Sequence, residues 1–293
     1  MHKINQTVLM SGAQYMSNDS PINAYMQEEP FDVALAMNQH TAIKQALEAA
    51  GVNVISVPPP ADCQDGIFTA NWALVRSNEA LLASLPTVRK PEMAYAKAAL
   101  QNLGKTVTEL PDGIKFSGQG DALPCGDFVF AGTSYRTDPE AHNYIASVLG
   151  YTVIPVQTIP LTDKDGNTVI NQATGWPDSH FYDLDLAISI LKFPSEGQKG
   201  LIAWCPDAFV PETQERLRAL DFVDKIEVSY DEAVQASACN LVSTGTHVVM
   251  NARAPQLQAA IESQGLTVTA LENGELAKNG GSVRCTTLTL DNI

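Results

Sequence analysis

Residues 40–57, HTAIKQALEAAG followed by VNVISV, decide the fold. Apolar positions recur at helical spacing up to Gly51, then alternate with polar ones in a β-branched run. A glycine just past the last periodic residue supplies the left-handed stop of a helix, and the alternation after it marks a strand. The same grammar returns at Pro91 (PEMAYAKAALQNLG, then KTVTEL), at Asp138 (DPEAHNYIASVLG, then YTVIPV) and at Ala254 (APQLQAAIESQG, then LTVTAL). A further copy near Pro211, PETQERLRAL then DFVDKIEVS, lacks the glycine.

Short strands are expected between these units at IFTANWALV (67–75), FVFAG (128–132), LDLAISIL (184–191), CNLVSTGTHVVMN (239–251) and RCTTLTL (284–290). Each module then reads as strand, strand, helix, strand. No such module can bury its apolar face alone, so neighbours must share a core. Five of them suggest a closed α/β ring around a central cavity, in one domain spanning 1–293. A doubly wound sheet is the competing arrangement, but its strands and helices would alternate strictly. The polar stretch 161–179, LTDKDGNTVINQATGWPDS, reads as a loop able to overhang the cavity.

Composition narrows the function. The 293 residues carry 18 Lys+Arg against 33 Asp+Glu, a formal net charge of −15. Nucleic acid and anionic membrane surfaces need clustered cations that are missing here, whereas a cationic small molecule is drawn inward by such a field. No apolar stretch approaches the length of a bilayer span, and the start MHKINQ leads into no signal-peptide core. Five scattered cysteines, at 63, 125, 205, 239 and 285, fit neither a disulfide framework nor a zinc site. Reduced thiols in the cytoplasm are the expectation. Neither a dinucleotide fingerprint nor a P-loop is present.

Cys285 is the candidate nucleophile. It follows NGGSVR (279–284), whose glycine pair permits close backbone approach, and it opens the last strand. Exposure and the neighbouring Arg284 are expected to lower its thiol pKa. Asp65 and Asn71, at either end of DGIFTAN, suit a planar cation with several N–H donors, or simply cap a turn. Asp121 ends SGQGD (117–121), which reads as a hairpin turn or a backbone cradle. Arg136, in SYRTD (134–138), suits a bidentate clamp on a substrate carboxylate or a surface ion pair, with Asp138 as the N-cap that follows. In DSHFYDLD (178–185), His180, Asp183 and Asp185 offer a base and substrate-holding acids. His2, His40, His142 and His247 read as terminal or surface residues.

In order along the chain, INAYM, IFTAN, GQGDAL, SYRTD, FYDLD and GGSVRCTTLTL resemble the guanidine-modifying (pentein) superfamily, in its dimethylargininase and arginine-dihydrolase-like branch. The resemblance implies a five-fold pseudosymmetric α/β propeller of ββαβ modules around a central active-site cavity. It also implies a cysteine hydrolase acting on the C–N bond of arginine or a methylated arginine through a covalent thiouronium, with no cofactor and no metal. By position, Cys285 matches the nucleophile, Asp65, Asn71 and Asp185 match groups holding the guanidinium or amino-acid part, and Asn23 and Arg136 match positions engaging the α-amino and α-carboxylate ends. A homo-oligomer is compatible with this reading.

Three departures stand out. Asp183 occupies the family's histidine position and Ser117 the position of its triad carboxylate. No Arg-x-x-Glu is found at Pro91-Glu92-Met93. His180 replaces the base only if the segment turns, because an extended chain would set it about 10 Å from Asp183 on the opposite face. An amidinotransferase and a non-catalytic guanidine-binding protein remain the alternatives.

Overall fold

The structure, a computed structural model, describes residues 3–26, 29–133 and 135–293; His2 and Ser134 lie outside them. Its first parallel pair is β1 (Thr7–Met10) and β2 (Asn53–Ser56), in the register Val8 to Val54 and Leu9 to Ile55. Parallel neighbours need a long crossover, and α1 (Val33–Ala49) supplies it. The next modules repeat the plan as hairpin, helix, parallel strand. They run β3 (Ala73–Arg76), β4 (Glu79–Leu82), α2 (Glu92–Asn102), β5 (Thr106–Thr108), then β6 (Ala122–Cys125), β7 (Phe128–Gly132), α3 (Pro139–Leu149), β8 (Thr152–Val156). The fourth has β9 (Ile188–Lys192), β10 (Gly200–Trp204), α4 (Pro211–Ala219) and β11 (Val223–Glu227). After α5 (Tyr230–Ala236), the fifth has β12 (Val242–Ser243), β13 (His247–Asn251), α6 (Pro255–Ser263) and β14 (Thr267–Leu271). Then α7 (Gly274–Ala277) leads to β15 (Leu288–Thr289), which pairs antiparallel with β1. The two ends of the chain thus complete one three-stranded sheet, and the ring of five modules closes.

The expected pentein-type α/β architecture is the one observed. Strand β9 lies between β6 and β12, and β3 lies against β15, so the first strands of the modules surround the axis. The helices bury one stripe each, such as Ala141, Ile145 and Leu149 of α3. Gly51, Gly104, Gly150 and Gly265 all take φ between +70° and +86°, the left-handed stop read from the sequence.

Differences are local and have physical causes. Helix α1 begins at Val33, seven residues before His40, where Asp32 Oδ1 accepts from Leu35 N at 3.0 Å. Its first turn leaves Leu35 and Met37 exposed, which breaks the amphipathic signal. The stretches 67–75, 184–191 and 284–290 are strands only in their second halves. Thr69–Trp72 and Leu184–Leu186 are single 3₁₀ turns, and only Leu288–Thr289 pairs at the end. There the backbone bonds across modules instead, as Ala70 N does to Cys285 O at 3.1 Å. Residues 161–179 form the expected loop, and Asn171 Nδ2 reaches Pro21 O at 3.4 Å.

Truncation after Thr287 removes β15 and reopens the ring. The shortened chain is expected to lose its cooperative thermal transition, measured by circular dichroism, whereas an unchanged melt would show that closure is dispensable.

Candidate active site

The functional side chains stand where the modules enter their first strands. Asn71, Gly120 and Asn240 lie two residues before β3, β6 and β12, and Asp185 and Cys285 lie three before β9 and β15. Pseudosymmetry therefore aims one position per module at the axis. Gly120 yields its share of that space to its neighbours: a Cβ there would sit 2.3 Å from Asn71 Nδ2 and 3.0 Å from Asp183 Oδ2.

Cys285 is 2 % exposed. Its Sγ donates to Asp185 Oδ2 at 3.3 Å and accepts from Asn240 Nδ2 at 3.1 Å. Burial, then the charges of Asp185 and Asp183, push the thiol well above its ordinary range, against the donors Asn240 and Ser282 N. This reverses the expectation of an exposed thiol activated by Arg284. That guanidinium turns away, donating to Thr289 Oγ1 at 2.9 Å and Gln119 Oε1 at 2.8 Å. Sequence adjacency to a cation did not translate into contact, because Arg284 and Cys285 lie in a turn before β15 and Arg284 is held by Gln119 and Thr289.

Asp183 and Asp185 are each 1 % exposed, and Asp121 is 4 % exposed. Asp183 Oδ2 accepts from Asn71 Nδ2 at 2.7 Å, while its Oδ1 and the Oδ1 of Asp185 have no partner among the described residues. Burial and then Asp183 raise the carboxyls of both Asp185 and Asp121 well above the usual range. Asp121 Oδ1 accepts from Leu184 N at 3.0 Å, so it ties the β6 turn to the segment that carries Asp185.

Asn71 is held from behind. Its Oδ1 accepts from Arg89 Nη1 at 2.8 Å, which turns Nδ2 toward Asp183 and toward Ser117 Oγ at 3.0 Å. Arg89 in turn makes a two-pronged pair with Glu92, Nε to Oε1 and Nη2 to Oε2, both at 2.8 Å. Burial opposes the charge on Arg89, but Glu92 outweighs it and holds the guanidinium above its ordinary value. This pair corrects the sequence reading: an Arg-x-x-Glu is present as Arg89-Lys90-Pro91-Glu92, with its arginine before the helix start instead of inside it.

Of the remaining expected residues, Asp65 and Asn23 meet at Asn279, and Arg136 is held on the segment that carries Ile22. Asp65, 1 % exposed, accepts from Asn279 Nδ2 at 3.3 Å and Gln64 Nε2 at 2.9 Å. Asn23 donates to Asn279 O at 3.0 Å. Arg136 donates to Ile22 O at 2.7 Å and lies 4.4 Å above the ring of Tyr182. Asp138 is the N-cap of α3 by position, but its carboxylate accepts from Lys115 N instead of capping the helix.

His180 is the expected residue that stands apart. The chain does turn there, yet its ring meets Tyr25 edge-on at 5.4 Å between centroids, and Nδ1 has no partner among the described residues. It lines outer grooves beside Tyr25 and Tyr230, and burial lowers its pKa. Asn240, Arg89, Glu92 and Asn279 escaped the sequence reading. The first was detectable from the register it shares with Asn71.

With this geometry in hand, the comparisons with known proteins are direct. Residues 10–168 match the family model described as N,N dimethylarginine dimethylhydrolase, eukaryotic. A Mycobacterium tuberculosis N(G),N(G)-dimethylarginine dimethylaminohydrolase is 32% identical over 270 residues, covering 91% of this chain and 80% of the relative. The bifunctional arginine dihydrolase/ornithine cyclodeaminase ArgZ of Synechocystis is 27% identical over 286 residues, covering 96% of this chain but 37% of its own length. The crystal structure of the N-terminal domain of ArgZ, an arginine dihydrolase bound to product, superposes with a TM-score of 0.84 at 26% identity, covering 98% of this chain and 97% of that one. The chain belongs to the dimethylarginine dimethylaminohydrolase family, within the pentein superfamily.

Three outcomes follow from the buried charges. Folded carboxyls raised above the unfolded value add stability that is complete below about pH 4 and is lost as pH rises through their folded pKa. The ligand-free protein is therefore expected to melt lower at pH 7 than at pH 5, and Asp185→Asn to melt higher than wild type at pH 7 by roughly 2–4 °C. A variant that melts lower would contradict the charge crowding. Glu92→Gln strands the buried Arg89 and is expected to cost about 3–5 kcal/mol in denaturant unfolding.

Proposed function

We propose that the ring is a single catalytic domain and a cofactor-free cysteine amidinohydrolase, cleaving a guanidine C–N bond of arginine or a methylated arginine through a covalent thiouronium. One observation carries the reading: a sulfur 3.3 Å from Asp185 Oδ2, among three buried carboxylates, with the adjacent arginine turned away. Arg284 and Arg89 act on these acids only through space, and no cation among the described residues hydrogen-bonds them. A planar guanidinium supplies that cation, together with N–H donors for the unpartnered oxygens of Asp183 and Asp185. Its arrival favours loss of the thiol proton, because a cation beside Cys285 stabilises the thiolate.

In the proposed chemistry, the thiolate adds to the guanidinium carbon. A proton passes through Asp183 to the departing amine, leaving a carbon–sulfur bond in a thiouronium cation. Water attacks that carbon, its proton passes back through Asp183, and the sulfur leaves as the ureido product forms. Asp183 is preferred to His180 for this role because its free Oδ1 lies in the acidic cluster, whereas the His180 ring contacts Tyr25. The Glu92, Arg89 and Asn71 sequence of bonds keeps Asp183 in place. Arg136 and Asn23 lie in the wall where the amino-acid end of the substrate would meet the chain, so entry requires the segment from Ser17 to Met26 to part from Asn279 and Arg136. No helix among the described residues is long and apolar enough to cross a membrane, and the five free thiols suit a reducing cytoplasm.

A second reading, binding without turnover, is favoured by Asp183 and Ser117 standing where the family pattern has histidine and a carboxylate. Incubation with arginine and N-methylated arginines, with ureido product measured by mass spectrometry, separates the two. Wild type is expected to form product and Cys285→Ala to lose roughly 10³-fold or more of the rate. Thermal stabilisation by the same compounds without product would favour binding alone. Undiminished product from Cys285→Ala would refute the assignment.

A further inference from the structure

We propose that Asn240 is a catalytic residue, its side-chain amide giving the Cys285 sulfur a fixed hydrogen-bond donor that stabilises the attacking thiolate. The inference rests on the reading of Cys285 as nucleophile. Asn240 is fully buried, and its Oδ1 accepts from two backbone groups, Cys285 N and Ser282 N, each at 3.1 Å. Those two bonds settle which way the amide faces, since rotating it would set NH₂ against two N–H donors. Nδ2 must then point at Sγ, 3.1 Å away.

The same side chain thus does two things with its two ends. The oxygen anchors the turn that presents the nucleophile, from Ser282 to Cys285. The nitrogen meets the reacting atom itself. Asp185 contacts that sulfur from another direction, where its oxygen accepts the thiol proton but repels a thiolate. Among the side chains that hydrogen-bond the sulfur in the described residues, Asn240 is the donor and so favours the charged form. Arg284, although adjacent in sequence, spends its donors on Thr289 and Gln119. A donor whose orientation is set before substrate arrives costs no reorganisation during attack, which is the condition for electrostatic stabilisation to accelerate a step.

The test must separate donor from anchor. Asn240→Asp keeps an oxygen for the two backbone N–H groups and replaces the donor with a second oxygen, while Asn240→Ala removes both. The first readout is the pH midpoint of Cys285 alkylation by iodoacetamide, followed on the peptide containing Cys285 by mass spectrometry, with melting temperature as the control for folding. Losing a hydrogen bond to a charged group, together with repulsion from the new carboxyl, is expected to raise the midpoint in Asn240→Asp by at least about one to two pH units. The second readout is turnover of the guanidine substrate, where kcat is expected to fall about 10- to 100-fold, with KM nearly unchanged and the deficit narrowing as pH rises. A wild-type midpoint in a folded Asn240→Asp protein would overturn the proposal and leave Asn240 as an anchor, as would a deficit in kcat that ignores pH. If wild type hydrolyses no guanidine, the hydrolase reading fails, but the alkylation midpoint still judges Asn240.

Discussion

The structure turns on a crowding of negative charge that water cannot relieve. Asp121, Asp183 and Asp185 are buried together with the Cys285 thiol, and Asp183 makes ionisation of Asp121, Asp185 and the thiol harder. Buried groups that cannot all ionise hold protons, and a cation that enters changes the balance at once. In the proposed reaction, protonation, ligand binding and activation of Cys285 are therefore one coupled equilibrium. A fold selected for stability alone would replace such a cluster with apolar side chains.

The ring makes that crowding attainable. Each module delivers one position at the mouth of its first strand, so the axis collects Asn71, Asp185, Asn240 and Cys285 from four different modules, and Gly120 leaves the fifth place to Asn71 and Asp183. Behind them, Arg89 and Glu92 neutralise each other while fixing Asn71, and Arg284 is held by Gln119 and Thr289 on its far side. The cations of the core are thus used as supports, and the space before the sulfur is left acidic.

Much of this was legible in the sequence, for reasons that also explain where it failed. The helix and strand units were readable because a period of 3.6 ending in a left-handed glycine and then a period of 2 are local signals, and Gly51, Gly104, Gly150 and Gly265 obey them. The start of α1 was not, because Leu35 and Met37 place apolar side chains on the solvent face. Cys285, Asp65, Asn71, Asp183 and Asp185 stood out by type and by neighbours. The direction in which a side chain points was beyond reach: Arg284 seemed by adjacency to activate the thiol and instead faces away, and His180 turned outward to Tyr25. Asn240 carries no chemistry by itself and gains it only when the modules are superposed.

Proton release on ligand binding tests the central claim most directly. Calorimetric titration of the Cys285→Ser protein with arginine, in buffers of different ionisation enthalpy at pH 7, counts the protons exchanged without turnover. If the buried carboxyls share protons that a cation displaces, binding releases a measurable fraction of a proton or more. Binding with the same heat in every buffer, hence with no proton released, would contradict it.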